Sequence, residues 1–261
     1  MSYFIGDIMK KAYEQNEVKF SLILIFIYVF GTILSEILTE KIGIIKLIPA
    51  IFHIILSIFL FRWIKNNSLM RKYGLVNPLY PIKEAWYFIP LLLIALSGLI
   101  GGIKLNYNIF ETILYMISMI FVGFLEEIIF RGFLFLGMAK NNLHEATIIS
   151  SITFGFGHIV NLFSGAPIFT TIMQIIFATV VGFTLVILFY KGGSLIPCII
   201  FHSLNNSLSA IELTNVEAAR ILSINESTLE FLIIIIHVII LLIYYIFSLR
   251  KFDPKYELRI N

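Results

Sequence analysis

Charge is what this chain of 261 residues lacks: only 13% of them are Asp, Glu, Lys or Arg, against about 25% in an average soluble domain. Too few ionic side chains remain to cover a water-facing surface. Cysteine is almost absent as well. The single Cys198 lies in an apolar stretch, which excludes a disulfide framework and a CxxC metal or redox motif. No HExxH zinc signature and no repeat of fixed period occurs. The net charge is only +3 and the basic residues are scattered, so nucleic acid is excluded as a partner. Nor does the N-terminus resemble a secretory signal. "MSYFIGDIMKKAYEQNEVKF" is polar and amphipathic, and the apolar run behind it is long and has no small-residue cleavage site.

What the chain has is hydrophobic length. It is 59% apolar with 25 phenylalanines, and its mean hydropathy is +0.95. Runs such as "SLILIFIYVFGTIL" (21–34) and "FLIIIIHVIILLIYYIF" (231–247) approach the ~20 residues a helix needs to cross a bilayer. The expectation is an all-α, polytopic membrane helical bundle with a central polar cavity. About eight transmembrane helices can be drawn, near 20–38, 44–64, 85–102, 110–137, 146–163, 167–190, 194–211 and 229–249. Residues 1–19 then form an N-terminal interfacial segment, 20–249 a single transmembrane domain and 250–261 a cytoplasmic tail. The segments 66–84 and 212–230 read as the two substantial polar loops, the second acidic, with Pro78 and Pro81 ending helical structure in the first.

Three charges interrupt this apolar background in "FLEEIIFRG" (124–132). An ionisable residue at membrane depth costs at least ~2.5 kcal/mol on insertion scales, so Glu126, Glu127 and Arg131 need partners. Glu127 and Arg131 stand at i,i+4 with the acid first, the favourable order, and a bidentate clamp between them is expected. Glu126 points about 100° away along an α-helix and has no local partner. That asymmetry predicts a structural acid beside a chemically available one. Two later apolar segments carry further polar groups. "FGFGHIV" (154–160) holds His158, with Gly155 and Gly157 expected to let backbones approach. "IIFHSLNNSL" (199–208) holds His202 and Asn206 at i,i+4. A bundle can gather all six into one protein-lined cavity. His53 and His237, in plain apolar context, read as packing or interhelical hydrogen-bonding residues. His144 and Glu145 read as the polar start of a helix.

"EEIIFR", "FGFGH" and "HSLNN" also match, in order, the EExxxR, FxxxH and HxxxN motifs of the CPBP intramembrane proteases, the CAAX protease and bacteriocin-processing or Abi-domain family. "KGGSLIPCIIFHSLNN" (191–206) resembles the stretch leading into the last motif. The resemblance covers about 85–210 and extends to the type 2 CAAX prenyl endopeptidases of that family. It implies that Glu126 and His158 activate a water for attack on an amide. It also implies that His202 and Asn206 stabilise the oxyanion and that Glu127 and Arg131 are supporting residues. No Ser or Cys nucleophile is required. Metal stays open at this point. Glu126, His158 and His202 are the three donors a zinc ion would use, whereas a glutamate–histidine water site needs none.

The implied partners are membrane lipid and a membrane-associated peptide or protein, lipidated or a precursor. A non-enzymatic bacteriocin-immunity or scaffold protein that keeps the same pocket is the alternative. A transporter with a Glu/His proton relay is disfavoured because no inverted repeat with broken helices is evident. The Ile-, Phe-, Lys- and Asn-rich composition fits a bacterial cell membrane protein encoded by AT-rich DNA.

Orientation follows from the basic residues. With the N-terminus inside, 14 fall in inner segments, against Lys41, Lys46, Lys104 and Arg220 outside and Arg131 within the bundle. Positive loops favour the cytoplasm, which places both termini there. Reporter fusions at the C-terminus and within 212–230 should therefore report opposite compartments. Agreement between them would overturn the eight-span arrangement.

Overall fold

The computed structural model describes residues 2–78 and 88–251. Over that range the secondary structure is helical, apart from one isolated antiparallel bridge between Ile103 and Glu212. Eleven α-helices are described: α1 (Ser2–Gln15), α2 (Glu17–Ile42), α3 (Leu47–Asn66), α4 (Ile89–Leu96), α5 (Ile109–Glu126), α6 (Leu136–Ala139), α7 (Leu143–Phe156), α8 (Ile168–Gly192), α9 (Ile196–Leu208), α10 (Asn215–Leu222) and α11 (Glu226–Lys251). A π-helical segment, Glu127–Phe135, joins α5 to α6, and 3-10 turns extend α4 (Ser97–Gly101) and α7 (Gly157–Ser164).

Five helical stretches are long and apolar enough to cross a membrane: Glu17–Ile42, Leu47–Asn66, Ile109–Ala139, Ile168–Gly192 and Glu226–Arg250. The other three expected spans coincide with shorter helices, α4, α7 and α9. Their brevity has local causes. Proline lies in the first turn of both α4 and α9, where it starts a helix but cannot extend it backwards. α7 tightens into a 3-10 turn at Gly157. Residues 85–87 of the third expected span, Pro81, and the tail beyond Lys251 lie outside the described residues. The expected loop 212–230 instead contains α10. Thr214 and Glu217 form a reciprocal capping box there, side chain to backbone in both directions.

Polar contacts sort the helix ends into two sets. At one end Glu17 pairs with Lys72 at 2.7 Å and Lys140 at 2.6 Å. There too the Leu195 amide donates to the Gly74 carbonyl at 2.8 Å, and Lys191 donates to the Leu249 carbonyl. At the opposite end the Ile45 amide donates to Glu111 at 3.0 Å, Lys104 pairs with Glu217, and Thr170 donates to Glu230 at 3.0 Å. α2 therefore starts, and α11 finishes, at the same end of the bundle.

Burial runs against the soluble pattern. Phe26, Phe30, Ile55 and Ile243 are exposed, while Ser21, Ser57, Ser118, Ser150 and Ser151 are buried. Apolar faces turned outward suit lipid, and small polar side chains between helices allow close backbone approach. Gly155 meets this expectation: a Cβ there would lie 2.9 Å from the Ile175 carbonyl of α8. Gly157 does not, because nothing lies within 4 Å of its added Cβ. The tightest approach near the charged motif is at Gly123, where a Cβ would fall 2.6 Å from the Ser203 amide nitrogen of α9. Overpacking of this kind typically costs ~1–3 kcal/mol. Gly123→Ala should lower the unfolding temperature in detergent, whereas Gly157→Ala should leave it unchanged or raise it.

Candidate active site

The six polar residues of the motifs come from three helical elements, and α5 and α9 bring most of them together. α5 starts at Asn108, whose side chain accepts from the Glu111 amide, and runs uninterrupted to Glu126. Beyond it the backbone widens into the π segment, all nine of whose residues are buried. π turns within α-helices are frequent at functional sites. The expected α-helical register of Glu127 and Arg131 is therefore replaced by a wider turn, although the two side chains still meet.

Their meeting is not the bidentate clamp expected from the spacing. Arg131 Nη1 lies 3.0 Å from Glu127 Oε1, but among the described residues the guanidinium makes no hydrogen bond and Glu127 Oε2 has no partner. Instead Arg131 stacks on the ring of Phe154, its guanidinium carbon 3.9 Å from the centroid. Desolvated cation–π contacts of this kind are worth ~2 kcal/mol or more. The guanidinium's flat face is thus satisfied by an aromatic ring, which i,i+4 counting along one helix does not reveal.

His202 is the unexpected centre of the cluster. Its Nδ1 lies 2.8 Å from Glu127 Oε1 and its Nε2 lies 3.2 Å from Glu126 Oε2. Each of the two acids thereby has a ring nitrogen of His202 as a partner. Phe154 supports this group as well. Its ring sits edge-to-face with both His158 and His202 at 5.5 Å and with Phe130 at 5.4 Å.

Glu126 has a second partner that sequence reading missed: the Tyr28 hydroxyl of α2 donates to its Oε1 at 2.7 Å. Both carboxylate oxygens of Glu126 are thereby oriented. Behind Tyr28, His53 of α3 bridges Thr32 (3.1 Å) and Ser118 (3.0 Å), the interhelical role expected for it. His237 likewise contacts Ser97 at 2.9 Å, and the Asn142 side chain caps α7 by accepting from the His144 and Glu145 amides.

A cavity of about 210 Å³ opens beside Glu126. Glu126 and His158 both line it, with Tyr28, His53, Asn161 and Gln174 among the other polar residues. His202 and Asn206 are not among its lining residues, so the expected meeting of all six in one cavity is only partly realised. His202 lies behind Glu126, 7% exposed at its side chain. Asn206, one turn further along α9, accepts from Asn205 at 3.4 Å. The serines flanking the motif are occupied: Ser203 donates to the Ile120 carbonyl at 2.9 Å and Ser207 to that of Leu204 at 3.2 Å.

Zinc would need three of these donors around an open position. Glu126, His158 and His202 do not fit that arrangement, because both ring nitrogens of His202 face carboxylates. Among the described residues no group of three His, Cys, Asp or Glu side chains is placed to hold a metal ion.

The two acids should separate on mutation. Glu127 and Arg131 are both 0% exposed, while Glu126 is 15% exposed. Removing one partner of a buried pair can cost ~3–5 kcal/mol. Arg131→Ala should therefore reduce the folded fraction recovered in detergent, and Glu126→Gln, which still accepts from Tyr28, should not. Equal yield and melting of the two variants would contradict this division.

No curated protein and no solved structure matches the chain. Residues 108–208, from the cap of α5 to the last residue of α9, match the family described as type II CAAX prenyl endopeptidase Rce1-like, so this part of the multi-pass membrane chain, which holds all three motifs, is similar to that protease family.

Proposed function

We propose that the chain is an intramembrane endopeptidase in which Glu126 activates water for attack on a peptide bond of a membrane-associated substrate. The observation that carries this reading is the convergence of Glu126 and His158, from α5 and the turn after α7, on one cavity inside an otherwise apolar bundle. Each carboxylate oxygen has two acceptor sites. Glu126 can therefore keep its bonds to Tyr28 and His202 and still accept from a water. His158 Nδ1 lies 3.3 Å from the Phe154 carbonyl, and donation there leaves Nε2 as the acceptor facing the reaction. Water held between the two loses a proton to Glu126 as its oxygen adds to the scissile carbonyl. The same proton then passes to the leaving nitrogen as the C–N bond breaks.

The oxyanion role implied for His202 and Asn206 is reassigned in part. His202 orients Glu126 and partners both acids. Asn206 sits outside the cavity lining and contributes less than a direct oxyanion donor would. The cell membrane, with both termini cytoplasmic, is the proposed location.

The test is cleavage of membrane-tethered and lipidated peptides by purified protein, read by mass spectrometry. Glu126→Gln and His158→Ala should each lose activity by orders of magnitude. His202→Ala should resemble them, and chelators should leave the wild-type rate unchanged. Asn206→Ala should lose less than the ~10²–10³-fold typical of one missing oxyanion donor. Wild-type-like cleavage by Glu126→Gln would overturn the mechanism. Wild-type biological activity in that variant, without any cleavage, would favour the non-enzymatic scaffold.

A further inference from the structure

The cavity beside Glu126 and His158 opens towards one end of the bundle, and among the described residues packed rings close the direct path from it to the other, the sealed end. Towards the open end it is lined by Glu36 and Lys46, an ion pair whose side chains are 31% and 20% exposed. Glu36 lies in the C-terminal part of α2 and Lys46 at the N-cap of α3, at the end where Ile45 bonds to Glu111. Asn161 and Gln174, joined at 2.6 Å, add a polar wall to the same cavity.

In the opposite direction the described residues directly past the site are close-packed, and a separate apolar cavity of about 680 Å³ runs beside them between α4 and α9, lined by Asn77, Leu91, Pro197, Phe201 and Leu204 among others. Past Glu127 and Arg131 the buried π segment leads to an aromatic layer. Phe133 packs on Tyr73 (4.5 Å) and on Phe20 (5.4 Å), and Phe20 stacks on Trp63, also at 5.4 Å. Tyr13 of α1 closes the layer against Trp63 at 5.3 Å. Below that, Glu17 binds Lys72 and Lys140. Water or substrate taking this direct path would have to separate close-packed rings.

The two ends also differ in charge. The sealed end holds basic residues of α1, of the end of α3 and of the segment after it, including Lys10, Lys11, Lys65 and Arg71. The open end carries the acids Glu36, Glu40, Glu111, Glu212, Glu217 and Glu226 against only Lys41, Lys46, Lys104 and Arg220. Basic segments are retained in the cytoplasm, where anionic lipid also attracts them.

From the cavity's direction and this charge asymmetry together, we infer that the site takes its substrate from the extracytoplasmic face. It would act on a polypeptide segment that has already been exported or that faces outward from the membrane. The inference rests on Glu126 and His158 being the working site.

Thiol accessibility tests this without requiring turnover, so a failure of the protease reading would appear separately, in the Glu126→Gln assay. The native Cys198 is buried and is replaced by alanine as background. Lys46→Cys reports the cavity mouth, Arg220→Cys reports the same end away from the cavity, and Lys65→Cys reports the sealed end. In intact cells a membrane-impermeant maleimide should label Lys46→Cys and Arg220→Cys, and should label Lys65→Cys only after lysis. The reverse pattern would overturn the inference. So would labelling of Arg220→Cys with Lys46→Cys unreactive from outside, since the mouth would then be closed to that face.

Discussion

The bridge that His202 makes between Glu126 and Glu127 is the interaction on which the rest of the site depends. Two adjacent carboxylates in a bilayer would each carry an insertion cost of at least ~2.5 kcal/mol and would repel one another. One histidine ring between them, with Arg131 at 3.0 Å from the inner acid, gives each acid a polar partner. The bridge also fixes tertiary structure. It ties α9 to the junction of α5 with the π segment, and it requires those backbones to lie close. The absence of a side chain at Gly123, one turn before Glu126, lets Ser203 of α9 approach to that distance.

Phe154 explains why an aromatic stands four residues before His158. Its face takes the Arg131 guanidinium, and its ring packs edge-to-face with both histidines. A ring presents a negative face and a positive edge, so one side chain can carry a cation on its face and order neighbouring rings around its rim. An aliphatic residue of similar volume would fill the space without holding Arg131. That loss would fall on Glu127 and, through His202, on Glu126.

What was legible in the sequence was local. The EExxxR and FxxxH spacings put Glu127 with Arg131, and Phe154 with His158, within one helical turn, and those neighbours do meet. Long-range partners left no such mark. Tyr28 lies in "IYVF", where an aromatic reads as ordinary lipid-facing surface, yet it reaches Glu126 across 98 residues of chain. The π segment was hidden because the sequence pattern there fits an α-helix equally well. Its consequence, a single ion contact in place of a clamp, was hidden with it. The uncertainty over spans has a related origin. α7 and α9 carry the polar motifs and begin or end at proline and glycine, so they are shorter than hydropathy alone implies. α10 was readable in principle: "TNVE" (214–217) has the T-x-x-E form of a capping box, obscured by treating an acidic stretch as a loop.

The two glutamates show why a buried ion pair need not be justified by stability. Replacing such a pair with apolar residues of similar volume is often neutral or stabilising, so Glu127 and Arg131 are a costly way to fill space. Their value lies in what Glu127 does to His202. By taking Nδ1 at 2.8 Å, it sets the ring's orientation and leaves Nε2 aimed at Glu126. An apolar substitute at 127 would release the ring to rotate, and a neutral histidine could then turn an acceptor nitrogen towards Glu126. Glu126 would keep only the Tyr28 hydroxyl as a donor. The inner acid thus acts on the outer one through a histidine, and the outer acid alone reaches the cavity.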